Sequence, residues 1–182
     1  KQSLEKHAFT GHYLKKSGNA KDGVAIFWNT KRFSLLDSKR FNLVYEKLVK
    51  GGGSQVALLV HLTCKKTNSR LVVCATHLKA KTPFEKTRLK QTTALLNYLK
   101  EHSAKHDLHN IVVCGDFNDT PHSEPVKALL AKGGEQLNLQ SCYENQESLD
   151  DSVFWTTFKT RHEKTHRRCI DYILYSNHSK SK

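Results

Sequence analysis

In Ile111-Val112-Val113-Cys114-Gly115-Asp116-Phe117-Asn118-Asp119 an apolar run stops at a glycine, and a carboxylate, an aromatic, an amide and a second carboxylate follow at once. A short apolar run bounded by a turn signal reads as a buried strand, here residues 110–117. The polar tail has two readings. A carboxylate at a strand mouth can orient and deprotonate water or face a divalent cation. An amide two residues on lies on the same side of an extended chain and can donate to a phosphate oxygen. The other reading is an Asx-type turn that merely closes the strand. In this segment alone the two are balanced.

Outward from this run the chain alternates strands and helices. Val24–Trp28 reads as a buried strand, with Phe33–Leu36 as its neighbour. Gln55–Cys64 and Arg70–Leu78 form a hairpin across Lys65–Ser69. Thr82, Pro83 and Glu85 make a helix start with a capping box. Leu89, Thr92, Leu96 and Leu99 then carry an amphipathic helix over residues 84–102. Ser123 caps a short helix over Glu124–Lys132, stopped by Gly133. Val153–Lys159 and Cys169–Ser176 close the pattern as strands. Gly51-Gly52-Gly53 lacks the Lys-Ser/Thr ending of a phosphate loop and reads as a connection. A hairpin, mixed strands and intervening helices predict an α/β sandwich.

The 182 residues suffice for one domain with a core. No apolar run approaches the length needed to span a bilayer, so no membrane insertion is expected. The chain has no methionine and opens on Lys1-Gln2, so we expect a piece of a longer protein. Its five cysteines form no Cys-x-x-Cys pair. That pattern favours a reducing setting without structural zinc, and the expected location is intracellular and cytoplasmic, with any mitochondrial address left to a preceding segment. Thirty Lys and Arg against 17 Asp and Glu give a net charge of +13. A field of that sign concentrates polyanions or phosphorylated substrates.

Other candidates sit near strand ends. His77, beside Lys79 and Lys81, suits phosphate binding, because lysine is a mobile point charge. Asp171 interrupts an apolar strand, which is costly unless it is paired. Lys159–Arg168 reads as a basic loop, either over a phosphate site or simply solvated. His102, His106 and His109 are read as solvated at a polar helix end, since no Glu follows His102 as a zinc motif would require.

Asp22-Gly23-Val24-Ala25, Thr76-His77-Leu78-Lys79-Ala80, Gly115-Asp116-Phe117-Asn118 and Ile170-Asp171-Tyr172-Ile173 occur in the order seen in the endonuclease/exonuclease/phosphatase superfamily. Within it the chain resembles nocturnin and the related deadenylases over roughly residues 22–176. The resemblance implies two packed mixed β-sheets flanked by helices, in one partial catalytic domain over residues 1–182. It implies Mg²⁺-dependent hydrolysis of a phosphoester by the longer protein rather than by these residues alone. Asp116 would activate water, Asn118 would bind the phosphoryl group and His77 would contact it. Asp22 would order the site, and Asp171 would pair with a histidine beyond Lys182. Lys79, Lys81 and Arg161 match positions that contact substrate phosphate, with Lys81 standing where nocturnin has an arginine. The metal-binding glutamate is expected before Lys1. The expected substrate is the 2′-phosphate of NADP(H), with poly(A) RNA as the alternative. A non-catalytic RNA-binding or adaptor module is the reading from another class.

Overall fold

The computed structural model describes residues 2–43, 55–132, 137–143, 154–161 and 163–176. Gly51-Gly52-Gly53, the Gly133 stop and Val153 lie outside the described residues. After a helical turn, α1 (Gln2–Glu5), strand β1 (Phe9–Lys15) pairs antiparallel with β2 (Gly23–Asn29). The strands β3 (Phe33–Leu43), β4 (Gln55–Cys64), β5 (Arg70–His77) and β6 (Ile111–Asp116) follow. Then come β7 (Leu139–Ser141), β8 (Thr157–Arg161), β9 (Lys164–Arg168) and β10 (Asp171–Ser176). A six-stranded sheet has the order β3-β4-β5-β6-β10-β7, while β8 and β9 form a separate hairpin. The large sheet is mixed, because β5 and β6 run parallel and its other pairs antiparallel.

β4 shows why the layers stack. Its residues from Gln55 to Leu62 are all buried. Successive side chains point to opposite faces, so Val56, Leu58, Val60 and Leu62 join Val24, Ile26 and Trp28 of β2 in one core. Ala57 and Leu59 join a second core on the other face. There Leu95, Leu96 and Leu99 of helix α2 (Glu85–His106) pack on Val72, Cys74 and Val113. Two sheet layers and a helical layer result, as the sandwich reading requires. Each fully buried Leu or Val contributes about 1.5–3 kcal/mol relative to exposure.

The structure departs from expectation in particular places. β3 runs to Leu43 and pairs with β4, not with β2. Thr30–Arg32 swings the chain from the small sheet to the large one, held by Lys65 N–H on Arg32 O and Lys65 Nζ on Thr30 O. Thr82–Phe84 is a 3₁₀ turn, and the helix cap is Phe84 with no side-chain bond. Glu85 Oε1 instead accepts the Glu124 N–H at 3.4 Å, so a tertiary contact replaces the capping box. The helix also runs on to His106, because its last turn buries His102 and Ser103. The short helix is α3 (Glu124–Lys127), continued by a π-helical turn at Ala128–Lys132.

Candidate active site

Three adjacent strands bring the polar residues together. In the parallel β5–β6 pair His77 lies opposite Asp116. In the antiparallel β6–β10 pair Asp171 lies opposite the same Asp116. One row across the sheet therefore carries His77, Asp116 and Asp171. Gly115 permits this approach. Its φ is +148°, and a Cβ there would sit 1.9 Å from the carbonyl oxygen of Thr76.

The opening stretch does close in a turn. Asp116 Oδ1 accepts the N–H of Asn118 at 2.8 Å, which is an Asx turn. Asn118 adopts a left-handed φ of 53°, so the chain turns here rather than continuing extended as the spacing suggested. The turn points Asp116 Oδ2 to within 3.7 Å of His77 Nε2. Burial pushes the Asp116 carboxyl above its usual range, against the pull of the Asn118 N–H and His77. A carboxylate whose proton affinity is raised is a better base. One N–H of the Asn118 amide donates to Leu78 O at 3.1 Å.

Lys16, which carried no signal in the sequence, completes the group. It is buried, at 8% exposure, and its Nζ donates to Asp22 Oδ2 at 2.6 Å. The same Nζ lies 2.9 Å from His77 Nδ1. Lys16 holds the Asp22 carboxyl below its usual range. Asp22, just before β2, thus lies beside His77 as the partner of a lysine.

Asp171 is held by two threonines. Its Oδ2 accepts the hydroxyls of Thr156 at 2.8 Å and Thr157 at 2.7 Å. Thr156 Oγ1 also accepts the Ile170 and Asp171 N–H groups. Two hydroxyl donors meet the need of a half-buried carboxylate, and their separation of 15 and 14 residues hid them from any local motif.

Beside this row lies a cavity of about 400 Å³ lined by Ala80, Lys81, Asn118, Thr157, Lys159, His166, Arg168 and Ile170. Lys159, His166 and Arg168 come from the β8–β9 hairpin, so the basic segment is a strand pair and not a loop. Lys81 reaches this wall, whereas the Lys79 ammonium sits 4.9 Å above the Phe84 ring. Arg161 lies at the hairpin end opposite Lys164, and its side chain is outside what the structure describes. His102 is buried against His61 of β4 and His106 is half-buried beside both, whereas His109 is exposed. Among the described residues no three His, Cys, Asp or Glu side chains could hold a metal ion. No described helix is long and apolar enough to cross a membrane.

The family model for the Endonuclease/Exonuclease/phosphatase family matches residues 2–181. Nocturnin of Xenopus laevis is 35% identical over 88% of this chain and 40% of that protein. Nocturnin of Homo sapiens is 35% identical over 88% of this chain and 36% of its own length. The chain thus spans well under half of these relatives. The solved human nocturnin catalytic domain with bound sulfate anion has a TM-score of 0.77 at 28% identity, over 98% of this chain and 64% of that one. The structure of ANGEL2, a 2′,3′-cyclic phosphatase, has a TM-score of 0.78 at 21% identity, over 96% and 65% of the two chains, and shares the fold. The mixed sheet, the row His77–Asp116–Asp171 and the match along nearly the whole chain show that this protein belongs to the endonuclease/exonuclease/phosphatase family.

Proposed function

We propose that the intact protein hydrolyses a phosphoester of a nucleotide with Mg²⁺, removing the 2′-phosphate of NADP(H). The observation that carries this is a carboxylate with raised proton affinity, Asp116, placed between His77 and Asp171 and two residues from Asn118, which lines a basic cavity. The volume of about 400 Å³ suits a small-molecule site. The relatives named nocturnin and the sulfate in the human nocturnin domain support a tetrahedral oxyanion as occupant.

In this reading Lys81, Lys159 and Arg168 attract and hold the phosphate by charge. Asp116 orients a water and takes its proton as the oxygen attacks phosphorus and the P–O bond to the ribose breaks. The alkoxide leaving group takes a proton from solvent, Asp116 later returns its proton to solvent, and inorganic phosphate departs. His77 donates to a phosphoryl oxygen. Asn118 fixes the phosphoryl group beside the water. Such hydrolysis is mainly positioning and charge stabilisation. A bound Mg²⁺ would offset the charge that builds on the phosphoryl oxygens.

The test gives the intact protein NADP⁺ and oligo(A) side by side, with and without EDTA. Phosphate release from NADP⁺ with oligo(A) left at full length is the expected result. Shortened oligo(A) with untouched NADP⁺ overturns it in favour of the second reading, a 3′–5′ poly(A) exoribonuclease. One observation favours that second reading. Trp155 and Phe158 are exposed with ring centroids 5.3 Å apart, and the Arg167 guanidinium lies 5.7 Å from the Phe158 centroid. Exposed aromatics among cations suit single-stranded bases.

A further inference from the structure

Arg88, in the first turns of α2, is among the largest fully buried side chains. A buried cation must be paired and fully hydrogen-bonded to be tolerated. Its Nε donates to Asp119 Oδ2 at 2.6 Å. Its Nη1 donates to Lys79 O at 2.9 Å and to Lys81 O at 2.7 Å. One planar fork thus grips the segment that carries Lys79 and Lys81 and the turn that carries Asn118.

The gripped backbone is not in a relaxed state. Lys81 has a φ of 79°, unfavourable for a residue with a Cβ, while Asn118 turns the chain at a φ of 53°, a conformation asparagine tolerates. A conformation such as that of Lys81 persists where the surroundings over-determine it. Gln91, three residues along the helix from Arg88, adds a bond from the Lys79 N–H to its Oε1 at 3.0 Å. Tyr172 Oη donates to Asp119 O at 2.9 Å. Arg88 also borders a second cavity that shares Lys81, Asn118, Arg168 and Ile170 with the first. At 2% exposure it stands behind that wall and is not part of its open surface.

We infer that Arg88 is a positioning residue, setting the distance between the phosphate-facing Lys81 and the Asp116–Asn118 turn through its bonds to the Lys79 and Lys81 carbonyls and to Asp119. This rests on the phosphoester-hydrolase reading for its consequence, but not for its geometry. Lysine cannot replace it. A lysine ammonium could still face Asp119 but has no planar fork to reach the two carbonyls as well.

Two variants of the intact protein test this. Arg88→Lys keeps a cation for Asp119. Arg88→Met with Asp119→Leu removes both charges together, a replacement that well-packed interiors often accept. With NADP⁺ as substrate, Arg88→Lys is expected to raise KM about tenfold with kcat changed less than about threefold. That increase should shrink in a Lys81→Ala background, as expected of two residues acting as a unit. Hydrogen exchange supplies a readout that assumes no substrate. Amides in residues 78–84 should exchange about tenfold faster in the double variant, while β5 residues 72–74 stay protected. An unchanged exchange rate in residues 78–84 overturns the inference. So does a KM effect of equal size with and without Lys81. If the unmodified protein releases no phosphate from NADP⁺, the proposed function fails, and the exchange result alone upholds or overturns the tether.

Discussion

Lys16 Nζ stands 2.9 Å from Nδ1 of His77, and this contact sets the tautomer of the imidazole. An ammonium has three donors and no acceptor. Nδ1 must therefore accept, and the ring proton sits on Nε2, on the side where Asp116 Oδ2 lies 3.7 Å away. Burial lowers the His77 pKa most, and Lys16 adds to it, while Asp116, Asp22 and Asp171 oppose them. A neutral imidazole with its N–H aimed at the strand mouth is a donor suited to a phosphoryl oxygen.

Lys16→Met should therefore raise the His77 pKa, since the opposing cation goes and the three carboxylates stay. Nitrogen and proton NMR of the imidazole read both features. We expect the Nε2–H form in the unmodified protein and a higher titration midpoint in the variant. An Nδ1–H form in the unmodified protein, or an unmoved midpoint, contradicts the assignment.

Asp116→Ala tests the base. Loss of a positioned general base removes about 10²–10⁴-fold of rate. Removing a carboxyl whose charged form is disfavoured by burial should not cost stability of comparable weight. Phosphate release should fall by that factor while the thermal midpoint stays near its original value. Activity within about threefold of the parent would sink the role of Asp116 as base.

The strands that build this site were legible because burial leaves a local mark. β4 reads as an unbroken apolar run since both of its faces are covered. Asp116 and His77 could be found because each is a polar residue where such a run ends. Lys16, Thr156, Thr157 and Arg88 could not be found, because their meaning comes from partners brought close only by folding. Asp119, the second carboxylate of the opening stretch, is the partner of a buried arginine that no local pattern announces. His102 was misread because helix periodicity says nothing about the His61 it meets across the layers.

Gly115→Ala should destabilise the protein. A methyl group there meets the Thr76 carbonyl oxygen at 1.9 Å, in a backbone conformation that side chains rarely adopt. Overpacking and backbone strain each cost about 1–3 kcal/mol. Chemical denaturation should show a loss in that range, with the midpoint moved and the slope kept. A variant as stable as the parent would mean that β5 and β6 are not paired in this register.

Acid should loosen the helix from the sheet. His61 and His102 are 4% and 7% exposed, and among the described residues neither Nε2 has a hydrogen-bond partner. Burial pushes both pKa values down, helped by His106, while Asp37 on β3 pulls the other way and Arg70 and Lys39 add to the lowering. In the unfolded chain both histidines return to about 6.5. Below that pH the unfolded state binds more protons than the folded one. The stability these neutral rings support is thus full above about pH 6.5 and is lost as pH falls through their lowered folded values. The thermal midpoint should drop between about pH 7 and pH 5. His61→Leu should flatten that drop, and an equally steep fall in the variant would place the acid sensitivity elsewhere.

The basic hairpin separates the two substrates by their response to salt. Lys164, His166, Arg167 and Arg168 are all exposed on β9 beside Phe158 and Trp155. A strand of RNA tracking this surface would release counterions at each phosphate neutralised, so its affinity would fall steeply between 50 and 200 mM salt, by about 10³–10⁵ if six to ten phosphates were engaged. NADP⁺, held in a cavity by Lys81, Lys159 and Arg168, offers few phosphates, and its affinity should fall far less. Fluorescence offers a second discriminator, since Trp28 is buried at 6% exposure and Trp155 is open at 42%. Oligo(A) stacking on the hairpin should quench a signal that Trp155→Phe abolishes. We expect weak quenching by oligo(A) and a shallow salt slope for NADP⁺ turnover. Strong, salt-sensitive quenching through Trp155 together with shortened oligo(A) would turn the reading towards the exoribonuclease.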